Sequence, residues 1–289
     1  MILFPQGFPR RVIVFNPAGR YAAAQVAAMR GAGTRIVAGI APGRGGTLLD
    51  GLPMLDDARD LAEPADAAVL YTPPEGLLEA VRICADLRIP TIVAAAEYVP
   101  AHDALAAAQA ARAAGCWLVG PNTLGLCVPG VGVLGSIAPD FCTPGPVALL
   151  ARSGTLTLTL ARILTEAGLG QRLVAHMGGD AAIGRNPDEW LRAVAADPEV
   201  KAVLYCGELG GDKEYALAAA LPGCRVPVVA MIVGRHAPPG TRMGHAGALA
   251  GAERETAAAK LAALAAAGAT AVPGPAEAVA ALRRLLTRP

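Results

Sequence analysis

The chain has 289 residues, of which 54% are hydrophobic and only 4% aromatic, with a formal charge of +1. Such a length predicts two domains, and the neutral balance with so few aromatics excludes a charged or stacking surface for nucleic acid. Much of the apolar content is alanine, and no apolar run reaches the roughly 18–20 residues of a spanning helix, so no membrane partner is expected. The start, Met1 to Pro5, is too short and proline-broken for a signal peptide. Cys84, Cys116, Cys127, Cys142, Cys206 and Cys224 form no C-x-x-C pair, which argues for reduced thiols in the cytoplasm. No two of the four histidines share ligand spacing, so no metal site is expected.

In chain order, residues 11–16 read as a buried strand, Ala22 to Arg30 as a helix closed by Gly31 and Gly33, and residues 34–40 as the next strand. This is a βαβ opening of the dinucleotide-binding type. Its first turn, Asn16-Pro17-Ala18-Gly19-Arg20-Tyr21-Ala22, holds one glycine where a glycine fingerprint is expected, and Pro17 removes a donor. The glycine-rich loop from Ala41 to Thr47 follows, with Arg44 suited to phosphate. The stretch from Gly51 leads into an expected helix ending near Leu61. Further strands are expected at 66–71, 91–95 and 116–119, alternating with helices at 76–87 and 101–114. Residues 131–146, with three prolines and no clear period, read as a linker between a first domain, 1–130, and a second, 147–289. The second half repeats the alternation, with strands near 147–151, 172–176, 202–206, 227–232 and 269–272. Its helices are expected near 155–167, 187–196, 213–220, 254–267 and 275–287. The fold class is α/β: a Rossmann-like domain followed by a flavodoxin-like domain.

Three stretches carry chemistry. The run Ala151-Arg152-Ser153-Gly154-Thr155 passes from a strand into a helix start, where free N–H groups, hydroxyls and the helix dipole favour an anion. Cys206-Gly207-Glu208-Leu209-Gly210-Gly211 puts a carboxylate at a strand's C-terminal end, where open α/β sheets keep their chemistry. Arg242-Met243-Gly244-His245-Ala246-Gly247-Ala248 puts an imidazole on a glycine-rich loop. Alone, His245 reads as a surface residue in a turn. Together, the three make a histidine that accepts phosphate, with Glu208 holding one ring nitrogen and leaving the other as nucleophile. His176, in a strand, is expected to be structural.

These motifs, with Gly178-Gly179-Asp180, resemble in order and over about residues 37–286 the α subunit of the succinyl-CoA synthetases and related nucleoside-diphosphate-forming acyl-CoA ligases. The resemblance implies that the first domain binds coenzyme A. Its contacts would be Ala18, Gly19, Arg20 and Tyr21 in the first loop, Arg44 in the second, and Ala95, Ala96 and Glu97 in a third. It implies a phosphorylated His245, oriented by Glu208 and stabilised by Ser153, Gly154 and Thr155, and a carboxylic acid site touched by Asn122 and Leu158. It also implies a β subunit carrying the nucleotide-grasping domain, with ATP or GTP and Mg. The chain departs from the family in its first loop, and Leu124 and Leu158 stand where succinate enzymes show proline and tyrosine. Three readings follow: an acid–CoA ligase α subunit, the same phosphohistidine chemistry with an acceptor other than coenzyme A, or a non-catalytic coenzyme-binding regulatory subunit. The missing fingerprint puts a plain dehydrogenase behind all three.

Overall fold

The computed structural model describes Phe4, residues 7–237 and residues 252–287. The chain divides into two compact units, one of residues 3–139 with 182–185, the other mainly 140–181 and 186–289.

The first unit runs β1 (Val12–Phe15), α1 (Arg20–Gly31), β2 (Ile36–Ile40), β3 (Leu48–Leu49), β4 (Leu52–Leu55), β5 (Ala67–Leu70), α2 (Leu77–Asp86), β6 (Thr91–Ala94), α3 (Ala101–Ala113), β7 (Trp117–Val119), β8 (Gly125–Val128) and β9 (Gly132–Gly135). Its main sheet is ordered β3-β4-β2-β1-β5-β6-β7. All pairs are parallel except the β3–β4 edge. Counting only the parallel strands, the order is 3-2-1-4-5-6, the Rossmann order. β1, β5 and β6 are buried at every position, as strands covered by helices on both faces must be.

Two expectations change here. The helix expected to end near Leu61 is a short 3-10 turn, Ala58–Asp60, capped by the Asp57 carboxylate, which accepts from the Arg59 N–H. Before it, Leu52 and Met54 are each 1% exposed and flank the exposed Pro53, a strand's period of two. The stretch expected to be linker from residue 131 carries β9, which pairs antiparallel with β8. The Pro129-Gly130 turn joins them, with Gly130 at φ +75 and the Val131 N–H donating to Val128 O at 3.0 Å.

The second unit runs β10 (Pro144–Ala151), α4 (Gly154–Glu166), β11 (Gln171–His176), α5 (Pro187–Ala195), β12 (Ala202–Glu208), α6 (Lys213–Ala220), β13 (Val228–Val233), α7 (Ala257–Ala266), β14 (Thr270–Ala271) and α8 (Pro275–Leu286). These five strands pair in parallel in the order β11-β10-β12-β13-β14. That order is flavodoxin-like, with the switch point between β10 and its neighbours. Among the described residues, no helix is long and apolar enough to cross a membrane.

Candidate active site

In the second unit, the C-terminal ends of β10, β11 and β12 meet at one guanidinium. Arg152, just past β10, is 3% exposed. Its Nε donates to Gly178 O at 2.9 Å and its Nη2 to Asp180 O at 3.0 Å, both in the loop after β11. The same Nη2 lies 2.9 Å from Glu208 Oε1 at the end of β12, an ion pair whose alignment falls short of a hydrogen bond. The planar fork of arginine suits three partners at fixed angles better than a lysine would. His176, 3% exposed, sets its Nε2 2.9 Å from Arg152 O.

Ser153 is the N-cap of α4, with extended φ −107 and ψ 130, and its side chain makes no capping bond. The first-turn N–H groups of a helix have no partner within it, so the Gly154 and Thr155 amides and the uncommitted Ser153 hydroxyl form a cluster of donors at the positive end of α4. Lys213, first residue of α6, donates to Ala181 O. Burial, and then the nearby Arg152 charge, push its amine down to about 8.

The turn after Glu208 is held from two directions. Leu209 N–H donates to Val233 O at 3.2 Å, where β13 ends. Gly210 N–H donates to Glu255 O at 2.8 Å, and Tyr215 Oη to Arg254 O at 2.5 Å, where the chain approaches α7. The Lys260 ammonium of α7 reaches both Glu208 O, at 2.9 Å, and Gly210 O. The chain on either side of residues 238–251 is thus tied to the turn that carries Glu208. His245 and its R-M-G-H-A-G-A stretch lie outside the described residues.

In the first unit, a cavity of about 480 Å³ opens at the C-terminal ends of β1, β5 and β6. This is the switch point of the Rossmann order, where such sheets bind ligands. Its lining includes Asn16, Gly19, Arg20, Tyr21, Tyr71 and Ala96. Tyr71 packs edge-on against Tyr21, ring centroids 6.0 Å apart, and its hydroxyl lies 3.2 Å from Ser136 Oγ. Gly19 is the N-cap of α1 and no side chain caps that helix, so the first-turn N–H groups at Arg20 and Tyr21 face a ligand site without a glycine fingerprint. The second glycine loop is occupied internally: Asp56 Oδ1 accepts from the Arg44 and Gly45 N–H groups at 2.9 and 2.8 Å. The Arg44 side chain, exposed, remains to offer a phosphate its charge.

Two family models match this chain: a CoA binding domain over residues 12–98 and CoA-ligase over residues 150–270. The succinate–CoA ligase [ADP-forming] subunit alpha 2 of Archaeoglobus fulgidus is 43% identical over 82% of this chain and 83% of its own length. The chain belongs to the succinate–CoA ligase α-subunit family. An ADP-forming sulfoacetate–CoA ligase subunit of Bilophila wadsworthia is 35% identical over 96% of this chain and 97% of its own. The ATP citrate lyase of Methanothrix soehngenii, solved with citrate and coenzyme A, matches 99% of this chain with TM-score 0.87 at 26% identity. This α-subunit chain spans about half of that longer polypeptide, 51% of it.

Of the residues expected in the coenzyme site of this α subunit, Gly19, Arg20, Tyr21, Ala95 and Ala96 line the cavity, whereas Ala18, Arg44 and Glu97 are outside its lining. Asn122 stands at positive φ, +54, after β7, with its N–H donating to Ala96 O at 2.8 Å. Leu158 lies in α4 and is half-buried. Ser153, Gly154 and Thr155 follow the end of β10 and Glu208 ends the adjacent β12, with Arg152 linking the two strand ends. Arg152 sits inside the quoted R-S-G-T run, yet its tie to Glu208 is not readable there, because the two are 56 residues apart and meet only when β10 and β12 pair. Lys260 did leave a signal: it is the one charge on the buried stripe Ala257, Lys260, Leu264 of α7. Among the described residues, no cluster of His, Cys, Asp and Glu is placed to hold a metal.

Proposed function

We propose that this chain is the α subunit of an ADP-forming acid–CoA ligase that works through a phosphohistidine on His245. The nucleoside triphosphate, with Mg, binds a partner β subunit that carries the nucleotide-grasping domain, and its γ-phosphoryl group passes to His245 Nε2. Glu208 accepts the Nδ1–H bond, which sets the tautomer and stabilises the charge that develops on the ring. The α4 start, with Ser153, Gly154 and Thr155, receives the phosphoryl oxygens. Phosphoryl transfer asks mainly for positioning and charge stabilisation, and fixed N–H donors supply both. A carboxylate oxygen of the acid then takes the phosphoryl group, giving an acyl phosphate and freeing the imidazole. The thiol of coenzyme A adds to the acyl carbon, the C–O bond to phosphate breaks, and inorganic phosphate leaves.

The observation that carries this reading is the double tether. The described chain on both sides of His245 is bonded to the turn bearing Glu208, beside a helix N-terminus whose N-cap hydroxyl is uncommitted. For coenzyme A, the supports are the cavity at the first switch point, the uncapped start of α1 with Arg20, and the match to a CoA binding domain. That cavity favours coenzyme A over another acceptor. The acid is a small carboxylic acid, and Leu158 of α4, where succinate enzymes show tyrosine, points to a site less polar than one built for succinate, or differently shaped. The test is intact mass spectrometry of the complex with its cognate β subunit and nucleoside triphosphate. An acid-labile, base-stable phosphate is expected, absent from His245→Asn. No phosphate, or phosphate on His176, would overturn the mechanism.

A further inference from the structure

Lys260 is 0% exposed and Glu214 1% exposed, and the two form an ion pair at 2.5 Å. All three ammonium protons of Lys260 have acceptors: Glu214 Oε2 at 2.5 Å, Glu208 O at 2.9 Å, and Gly210 O. The other carboxylate oxygen of Glu214 accepts from the Tyr205 hydroxyl at 2.8 Å, and Tyr205 is also fully buried, within β12. Burying two charges is expensive even when they are paired, and an apolar pair of similar volume is often as stable or more so. Stability alone therefore does not account for this lysine. Two of its three bonds go to the backbone carbonyls on either side of Leu209, in the turn that starts at Glu208. A methionine or leucine would fill the volume but make neither bond.

We propose that Lys260 is a positioning residue for the ligase chemistry, with Glu214 and Tyr205 as its buried support: the ammonium fixes the backbone of the Glu208–Gly210 turn and so aims the Glu208 side chain. The inference rests on the reading of Glu208 as the partner of a phosphorylated His245. The ammonium bonds of Lys260 go to Glu214 Oε2, Glu208 O and Gly210 O, so it acts through the strand end it holds. Glu214 cancels its charge within the core, and Tyr205 fixes the carboxylate of Glu214. The cluster spans three elements, α7, α6 and β12, and α7 is also the helix at which the chain carrying His245 returns. One ammonium thus sets the strand end and the returning helix against each other.

The test compares Lys260→Met, the apolar pair Lys260→Met with Glu214→Leu, and Glu208→Gln, each in the complex with the cognate β subunit. Chemical denaturation gives stability, and single-turnover labelling gives the rate of histidine phosphorylation. Lys260→Met alone strands the Glu214 carboxylate and loses stability. The apolar pair should recover most of that stability yet still label about tenfold or more slowly than wild type, with KM for acid and coenzyme A little changed. Adding Glu208→Gln to the apolar pair should slow labelling no further than Glu208→Gln alone, since residues acting through one another are not additive. Wild-type labelling by a stable apolar pair would overturn the inference, as would fully multiplicative slowing in the triple variant. If Glu208→Gln itself labels at the wild-type rate, the reading of Glu208 fails instead, and the comparison separates the two.

Discussion

Arg152 and Glu208 are 3% and 4% exposed, and at that depth a charge is tolerated only with a partner. Arg152→Leu takes one donor from Gly178 O and Asp180 O and removes the Arg152 counter-charge from the Glu208 carboxylate. Stability should fall by roughly 3–5 kcal/mol, the cost of removing one partner of a buried ion pair, read from urea midpoints; a loss under about 1 kcal/mol would contradict the picture. Lys213 makes a pH prediction. Its amine is held at about 8, against 10.5 ordinarily, by burial first and Arg152 second. Below about pH 8 both folded and unfolded chains carry this charge, and the fold bears its cost. Between about 8 and 10.5 the unfolded chain holds the proton that the folded one has shed, so stability rises with pH. The stability of wild type relative to Lys213→Met should therefore climb across that window and level off above it. A flat difference would show that the amine is not depressed.

At the scale of one element, α4 separates stability from function. An ordinary Ser N-cap replaced by Ala costs about 1 kcal/mol because a side-chain bond to the first turn is lost. Ser153 makes no such bond. Ser153→Ala should therefore change the unfolding midpoint by no more than a few tenths of a kcal/mol while shortening the life or the yield of the phosphoenzyme. Equal loss in both would return the hydroxyl to a structural role. The β8–β9 hairpin gives the opposite case. Gly125 stands at φ +84, and a Cβ there would lie 1.9 Å from Leu134 O. Gly125→Ala should lower the unfolding free energy by well over about 1 kcal/mol, read from the denaturation midpoint.

At the scale of the molecule, the proposed function divides the work between two switch points, with coenzyme A at the cavity of the Rossmann-ordered unit and the phosphoryl group at the strand ends of the flavodoxin-ordered one. Arg44→Ala removes the charged side chain that the Asp56-filled loop offers a phosphate. By titration calorimetry it should weaken coenzyme A binding by about tenfold or more, the value of one charge-assisted bond of roughly 1.5–3 kcal/mol. Unchanged affinity would move the coenzyme phosphates to the α1 start and Arg20. The purified chain without its β subunit should turn over neither acid nor nucleotide; robust acyl-CoA formation by it would refute the two-subunit reading.

The sequence by itself determined the fold class and nearly every element, because burial on both faces writes strands as short apolar runs and exposure writes helices with a 3.6-residue period. It marked Ser153, Gly154, Thr155 and Glu208, because ligand chemistry in such folds gathers where strands end. It missed the strands at 52–55 and at 132–135, the latter at the start of the expected linker, where prolines and glycines suggested irregular chain although Pro53 sits on the exposed side and Pro129-Gly130 forms the turn before β9. Which residue partners which is settled by the packed fold. Arg152 meets Glu208 through the pairing of β10 with β12, Asp56 fills the loop of Arg44, and Lys260 reaches back 52 residues to the Glu208 carbonyl. Such partners are chosen by burial. A charge removed from water must find a counter-charge or a carbonyl within about 3 Å, and which one comes that close is set by the order of strands in the sheet, a property that no local stretch of sequence carries.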